Sequence, residues 1–169
     1  MNPRPPSDSV ETLVIGCGNE LRGDDAVGAL IAAAVNDWHL PGVRGLPCHQ
    51  LTPELSEIIA RAKQVIFVDA AIERESNLVE AQSIEPASVA SLLGHIGDPR
   101  SCLALSQTVF GRYPPAWQIT VPARDFEFGA PPSATAREGL NRALEIIQRL
   151  STSCENRKAL HPPSLLPDQ

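Results

Sequence analysis

The chain has 169 residues, a hydrophobic fraction of 43%, a charged fraction of 20% and a formal net charge of −6, the make-up of one ordinary globular domain with a single substantial core. The acidic balance, with no Lys/Arg cluster to track phosphates, excludes nucleic acid as a partner, and no apolar run is long enough to cross a bilayer. Residues 1–9 are polar and Pro-rich without the apolar region of a signal peptide, and Cys17, Cys48, Cys102 and Cys154 lack C-x-x-C spacing, so the expectation is a cytoplasmic protein with reduced thiols and no cysteine zinc site.

Residues 11–18 read as a first strand, apolar on both faces and therefore central. Val27, Leu30, Ile31 and Ala34 repeat at helical spacing, which predicts a helix over residues 25–37. A short strand follows at residues 43–46, with Pro47 placing its end at a sheet edge. Thr52-Pro53-Glu54 has the form of a helix start, and Leu55, Ile58, Ile59 and Ala62 supply its buried stripe. Residues 64–69 form a second apolar strand ending in an acid, and residues 79–84 a more exposed one. A helical turn is expected around residues 87–93. Asp98-Pro99 opens a further helix that Gly111 stops in the left-handed conformation. Residues 117–121 make another strand. Ser133 caps a last helix whose stripe is Leu140, Ala143, Leu144, Ile147 and Leu150. Residues 152–169 read as a disordered tail, residues 1–10 as a flexible start, and 11–151 as the domain. Strands alternating with helices predict an α/β fold, a three-layer α/β/α sandwich with a mainly parallel sheet.

The chemistry gathers at strand ends. After the strand Thr12-Leu13-Val14-Ile15 comes a glycine turn, and then Asp24 and Asp25 stand where a helix begins. Carboxylates there face free backbone N–H groups and the positive end of the helix dipole, which keeps them ionised. They also lie at the carboxyl edge of the strands, where open α/β sheets place their sites. Asp69 closes the strand of residues 64–68, and parallel strands end on one edge, so Asp25 and Asp69 can converge. Its alternative role is to cap the next turn. His95 lies in a loop just before the Asp98-Pro99 helix start, where a merely solvated imidazole is the plain alternative. His39, His49 and His161 sit in less pointed settings. Ser106 and Cys102 fall on a helix pattern, and no G-x-S-x-G marks a nucleophile.

Gly16-x-Gly18-Asn19-x-Leu21 and Asp24-Asp25 followed by Gly28 resemble the signature of the hydrogenase maturation endopeptidases, which clip a C-terminal extension from the large subunit of nickel-iron hydrogenases. Leu51-Thr52-Pro53-Glu54-Leu55 and the segment Ala123-Arg124-Asp125-Phe126-Glu127-Phe128-Gly129 extend the resemblance over about residues 11–150. It implies the same three-layer fold and a metal held by Asp25, Asp69 and His95. That metal is nickel, arriving transiently in the precursor's own active site, with no organic cofactor. The implied partner is the hydrogenase large-subunit precursor. Asp24 is then an acid supporting the loop together with Gly16, Gly18 and Asn19, and Gly16, Gly18 and Gly23 allow backbone turns and close approach of substrate.

Three other readings compete. A Rossmann-type nucleotide site lacks its third glycine, because Leu21 occupies that place, and two acids would repel a pyrophosphate. A free-standing metallohydrolase would be expected to carry an H-E-x-x-H or its equivalent. A non-catalytic chaperone for hydrogenase precursors would have no need to keep all three ligands.

Overall fold

The apolar runs of the first and third strands lie side by side at the centre of a five-stranded sheet, whose spatial order is second, first, third, fifth, fourth strand. The computed structural model describes residues 10–72, 78–88 and 97–159. The strands are β1 (Thr12–Cys17), β2 (Val43–Cys48), β3 (Gln64–Ile72), β4 (Glu80–Ile84) and β5 (Ala116–Ala123). β2, β1, β3 and β5 run parallel, and β4 alone is antiparallel, on the edge beside β5. The helices are α1 (Val27–Asp37), α2 (Leu55–Arg61), α3 (Pro99–Phe110) and α4 (Ala134–Ala159), and a 3-10 turn, Gly23–Ala26, precedes α1.

Successive residues of a central strand face opposite sides, so each side needs its own helical cover. Leu13, Ile15, Val65 and Phe67 face one side and pack with Ile59 of α2 and Cys102 and Leu103 of α3. Val14, Ile66 and Val68 face the other, against Val27, Ile31 and Val35 of α1 and Ala136, Ala143 and Ile147 of α4. Thus α1 and α4 cover one face and α2 and α3 the other, the expected three-layer sandwich.

Local signals account for most boundaries. Asp98 caps α3, accepting a hydrogen bond from the Arg100 N–H at 2.8 Å with Pro99 in the first turn, and Gly111 ends the helix at φ 73°. Ser133 caps α4 through the Ala136 N–H. Other features differ from expectation. Leu30 is exposed and Val35 completes the buried stripe of α1. α2 begins at Leu55 with no side-chain cap. β3 runs on to Ile72, so Asp69 lies inside the strand. α4 continues to Ala159, beyond the Leu150 that closes its apolar stripe and into residues expected to belong to the tail. Ala87 and Ser88 are not helical, and the rest of the turn expected there lies outside the described residues. Among the described residues no helix is long and apolar enough to cross a membrane.

The chain leaves β1 for β2 on one side and then returns past β1 to β3 on the other. Between the carboxyl ends of β1 and β3 the connections therefore diverge, opening a crevice where sheets of this kind hold ligands.

Candidate functional site

Two glycines bring the first helix onto that crevice. A Cβ on Gly16 would lie 1.8 Å from the carbonyl oxygen of Gly28, and one on Gly28 would lie 2.1 Å from that of Cys17. Only bare backbone fits on both sides, so the first turn of α1 rests directly on the end of β1. Gly18 has φ 148°, and its Cβ would meet the Asp25 carbonyl oxygen at 1.7 Å. At Gly16 and Gly18 the chain's own backbone makes a close approach.

Asp25, half-buried in the 3-10 turn, is oriented by the same loop. Its Oδ2 accepts a hydrogen bond from the Asn19 backbone N–H at 3.1 Å, and Asn19 Oδ1 accepts one from the Leu21 N–H at 2.9 Å. Asn19 thus shapes the loop. Asp69 reaches the same place from β3, with its Oδ1 accepting from the Ala70 N–H at 2.8 Å. Its side is open to solvent, yet the surrounding protein desolvates the charge and pushes the carboxyl above the usual range. The Ala70 hydrogen bond opposes this rise and the negative charge of Asp25 adds to it. A cation bound between the two would remove that repulsion.

Asp25 and Asp69 line one cleft of about 190 Å³, together with Cys17, His49 and Gln118, over a floor that includes Phe67. His95 lies outside the described residues, while Gly97 and Pro99, soon after it in sequence, line the cleft. Among the described residues no three His, Cys, Asp or Glu side chains are grouped so as to hold a metal ion. The described part of the expected ligand set is two carboxylates, hard oxygen donors that suit a divalent cation when a further ligand completes them.

Asp24 faces away from the cleft and is fully buried. Its carboxylate accepts from the N–H groups of Arg124 (2.7 Å), Asp125 (3.0 Å) and Ser133 (2.6 Å) and from the Ser133 hydroxyl (2.9 Å). Burial alone would raise its pKa, but these donors overcome that and hold it below the usual carboxylate range. Asp24 clamps the segment after β5 and the start of α4 to the turn that carries Asp25. Of that segment's two aromatics, Phe126 is half-buried and Phe128 is exposed, so only one anchors.

Two features of the cleft were not singled out in the sequence. His49 follows the edge strand β2, and a signal for it existed: β2 is parallel to β1, so its carboxyl end falls on the same sheet edge as Asp25. Cys17 and Cys48 are register partners across β1 and β2, with their sulfurs 2.8 Å apart. The shared hydrogen bond, with burial, raises the Cys17 thiol, and the same bond lowers Cys48, although burial there works the other way. Cys102 and Ser106 are buried in α3; the Ser106 hydroxyl donates to the Ser56 and Cys102 carbonyls, a structural role.

No family model matches this chain, and no curated protein does. Solved structures do. The NiFe hydrogenase maturation protease HycI of Thermococcus kodakarensis KOD1 aligns over 86% of this chain and 95% of its own, with 24% identity and a TM-score of 0.65. The hydrogenase maturating endopeptidase HybD of E. coli aligns over 85% and 93%, with 21% identity and a TM-score of 0.68. The NiFe hydrogenase maturation protease HybD of Thermococcus kodakarensis covers 83% and 99%, at 19% identity and a TM-score of 0.64. At these identities the likeness establishes the fold, over nearly the whole length of each of those proteins.

Proposed function

We propose that this protein is an endopeptidase of hydrogenase maturation, removing a C-terminal extension from the large-subunit precursor of a nickel-iron hydrogenase once nickel is in place. The observation that carries the reading is the convergence of Asp25 and Asp69 on one cleft at the sheet's switch point, in a fold shared with proteins named as hydrogenase maturation proteases. The motif Gly16-x-Gly18-Asn19 with Asp24-Asp25 and Gly28 builds the loop that presents Asp25 there. We assign the ligand set Asp25, Asp69 and His95 to the nickel that the precursor brings. Three ligands leave positions open to groups of the substrate, and such a site lets go of the metal once the product leaves.

In this reading the protein's own part is recognition and orientation. The two carboxylates, held by the Asn19 and Ala70 N–H groups, receive the metal and so fix the scissile peptide bond in the cleft, where water hydrolyses it. Dependence on the metal makes the enzyme a checkpoint, because an empty precursor is not cut.

The test pairs the purified protein with its own organism's large-subunit precursor, nickel-loaded and nickel-free, and weighs the subunit by mass spectrometry. Loss of a C-terminal peptide from the loaded form alone is the expected result. Cleavage of both forms would discard nickel recognition, and binding without cleavage would favour a chaperone. Asp25→Asn keeps shape and removes charge. It should slow processing by at least about 100-fold, the upper end of what even outer-shell partners cost a metal site. Normal processing by this variant would remove Asp25 from the site.

A further inference from the structure

We propose that Cys17 and Cys48 are a reversible disulfide-forming pair, a covalent modification site in the wall of the cleft that is oxidised by small disulfides of the glutathione class. The sheet sets the geometry. β1 and β2 are parallel and pair Cys17 directly with Cys48, and hydrogen-bonded strands lie about 4.8 Å apart, inside the Cα separation a disulfide spans. Both side chains leave the same face and pack against the same apolar cluster. Their sulfurs are 2.8 Å apart, so closing to a bond of about 2.05 Å needs a movement of less than about one ångström. Both are half-buried rather than sealed, whereas Cys102 is buried in α3. Cys17 also lines the open cleft, which a small oxidant can enter.

The chemistry balances without any other reactant. One of the two cysteines, as its thiolate, attacks one sulfur of glutathione disulfide, forming a mixed disulfide and expelling one glutathione thiolate, which takes up the proton of the other cysteine. That second cysteine then attacks the protein sulfur of the mixed disulfide, forming the Cys17–Cys48 bond and expelling the second glutathione. Two protein thiols are oxidised and one glutathione disulfide is reduced to two thiols. The bond ties the end of β1, which leads into the Asp25 loop, to the end of β2, which leads into His49. It therefore braces two walls of one cleft, and it stands whether or not the proposed peptidase activity does.

The experiment equilibrates the full chain in glutathione buffers of graded ratio. The samples are quenched in acid, alkylated, digested and weighed as peptides. A Cys17–Cys48 linked peptide, lighter by two hydrogens than the sum of its reduced halves, should accumulate in one transition. Dithiothreitol should reverse it, with Cys102 alkylated throughout. Cys48→Ser should lose that peptide and leave Cys17 either alkylated or carrying glutathione. The proposal is overturned if wild-type Cys17 and Cys48 stay fully alkylated in excess glutathione disulfide, or if oxidation stops at glutathione adducts. A link from Cys17 to another cysteine in Cys48→Ser would overturn it as well.

Discussion

Asp24 provides the sharpest physical test of how this fold builds its site. The carboxylate is fully buried and takes four hydrogen bonds, three from backbone N–H groups and one from the Ser133 hydroxyl. Asp24→Asn preserves shape but turns one oxygen into an NH2 group that must face a donor. One opposed pair costs about 1–3 kcal/mol. Asp24→Ala strips every acceptor from four donors; water entry and loop relaxation limit the sum, leaving about 3–5 kcal/mol, the scale of a broken buried charge network. Urea unfolding followed by circular dichroism should show both as lowered midpoints with an unchanged slope. The pH dependence has a definite sign. The folded pKa lies below the ordinary 3.8, so the stabilisation is complete above that value and is lost as pH falls through the folded pKa. Wild type should lose this increment in strong acid, and Asp24→Asn, with nothing there to titrate, should not. If Asp24→Asn unfolds within about 0.5 kcal/mol of wild type and with the same acid profile, the clamp described above is wrong.

Other outcomes follow from single contacts. Gly16→Ala would set a methyl 1.8 Å from the Gly28 carbonyl oxygen; forced apart, β1 and α1 should lose about 3 kcal/mol or more, or the protein should not accumulate at all. Asp69 has a raised pKa, chiefly through desolvation, so its ionisation opposes folding once pH rises through the folded value. Asp69→Asn should therefore melt above wild type near pH 7, the gap closing as pH falls towards 3.8, and a variant less stable at neutral pH would contradict the desolvation argued for Asp69. Asp98 caps α3 and also accepts from the Ser101 hydroxyl at 2.7 Å; Asp98→Ala should cost about 1 kcal/mol in urea unfolding, and no change would mean the cap contributes nothing.

Periodicity, caps and composition were enough for most of the architecture. The all-apolar runs of β1 and β3 could lie only inside a sheet covered on both faces, and Asp98-Pro99 with Gly111 marked where α3 starts and stops. The site was readable to the extent that parallel topology forces strand ends together: Asp25 and Asp69, 44 positions apart, could be expected on one edge. Where the reading fell short, spatial neighbours decided the matter. Leu30 fits the helical stripe of α1 yet faces solvent, because the packing of α1 is centred on Val27, Ile31 and Val35. Nothing local to Asp24 announces that its partners are Arg124, Asp125 and Ser133.

The amino-acid sequence by itself determined most of the segments that become strands and helices, because those outcomes rest on short-range sterics, capping and hydrophobic period. Only the tertiary structure decided that Gly16 and Gly28 meet, that Asp24 ties the loop after β5 to the turn before α1, that Cys17 and His49 share the cleft with the two carboxylates, and that Cys48 pairs with Cys17. These contacts depend on strand order and register, which are set by how two apolar faces are buried at once and by no residue's immediate neighbours in the chain.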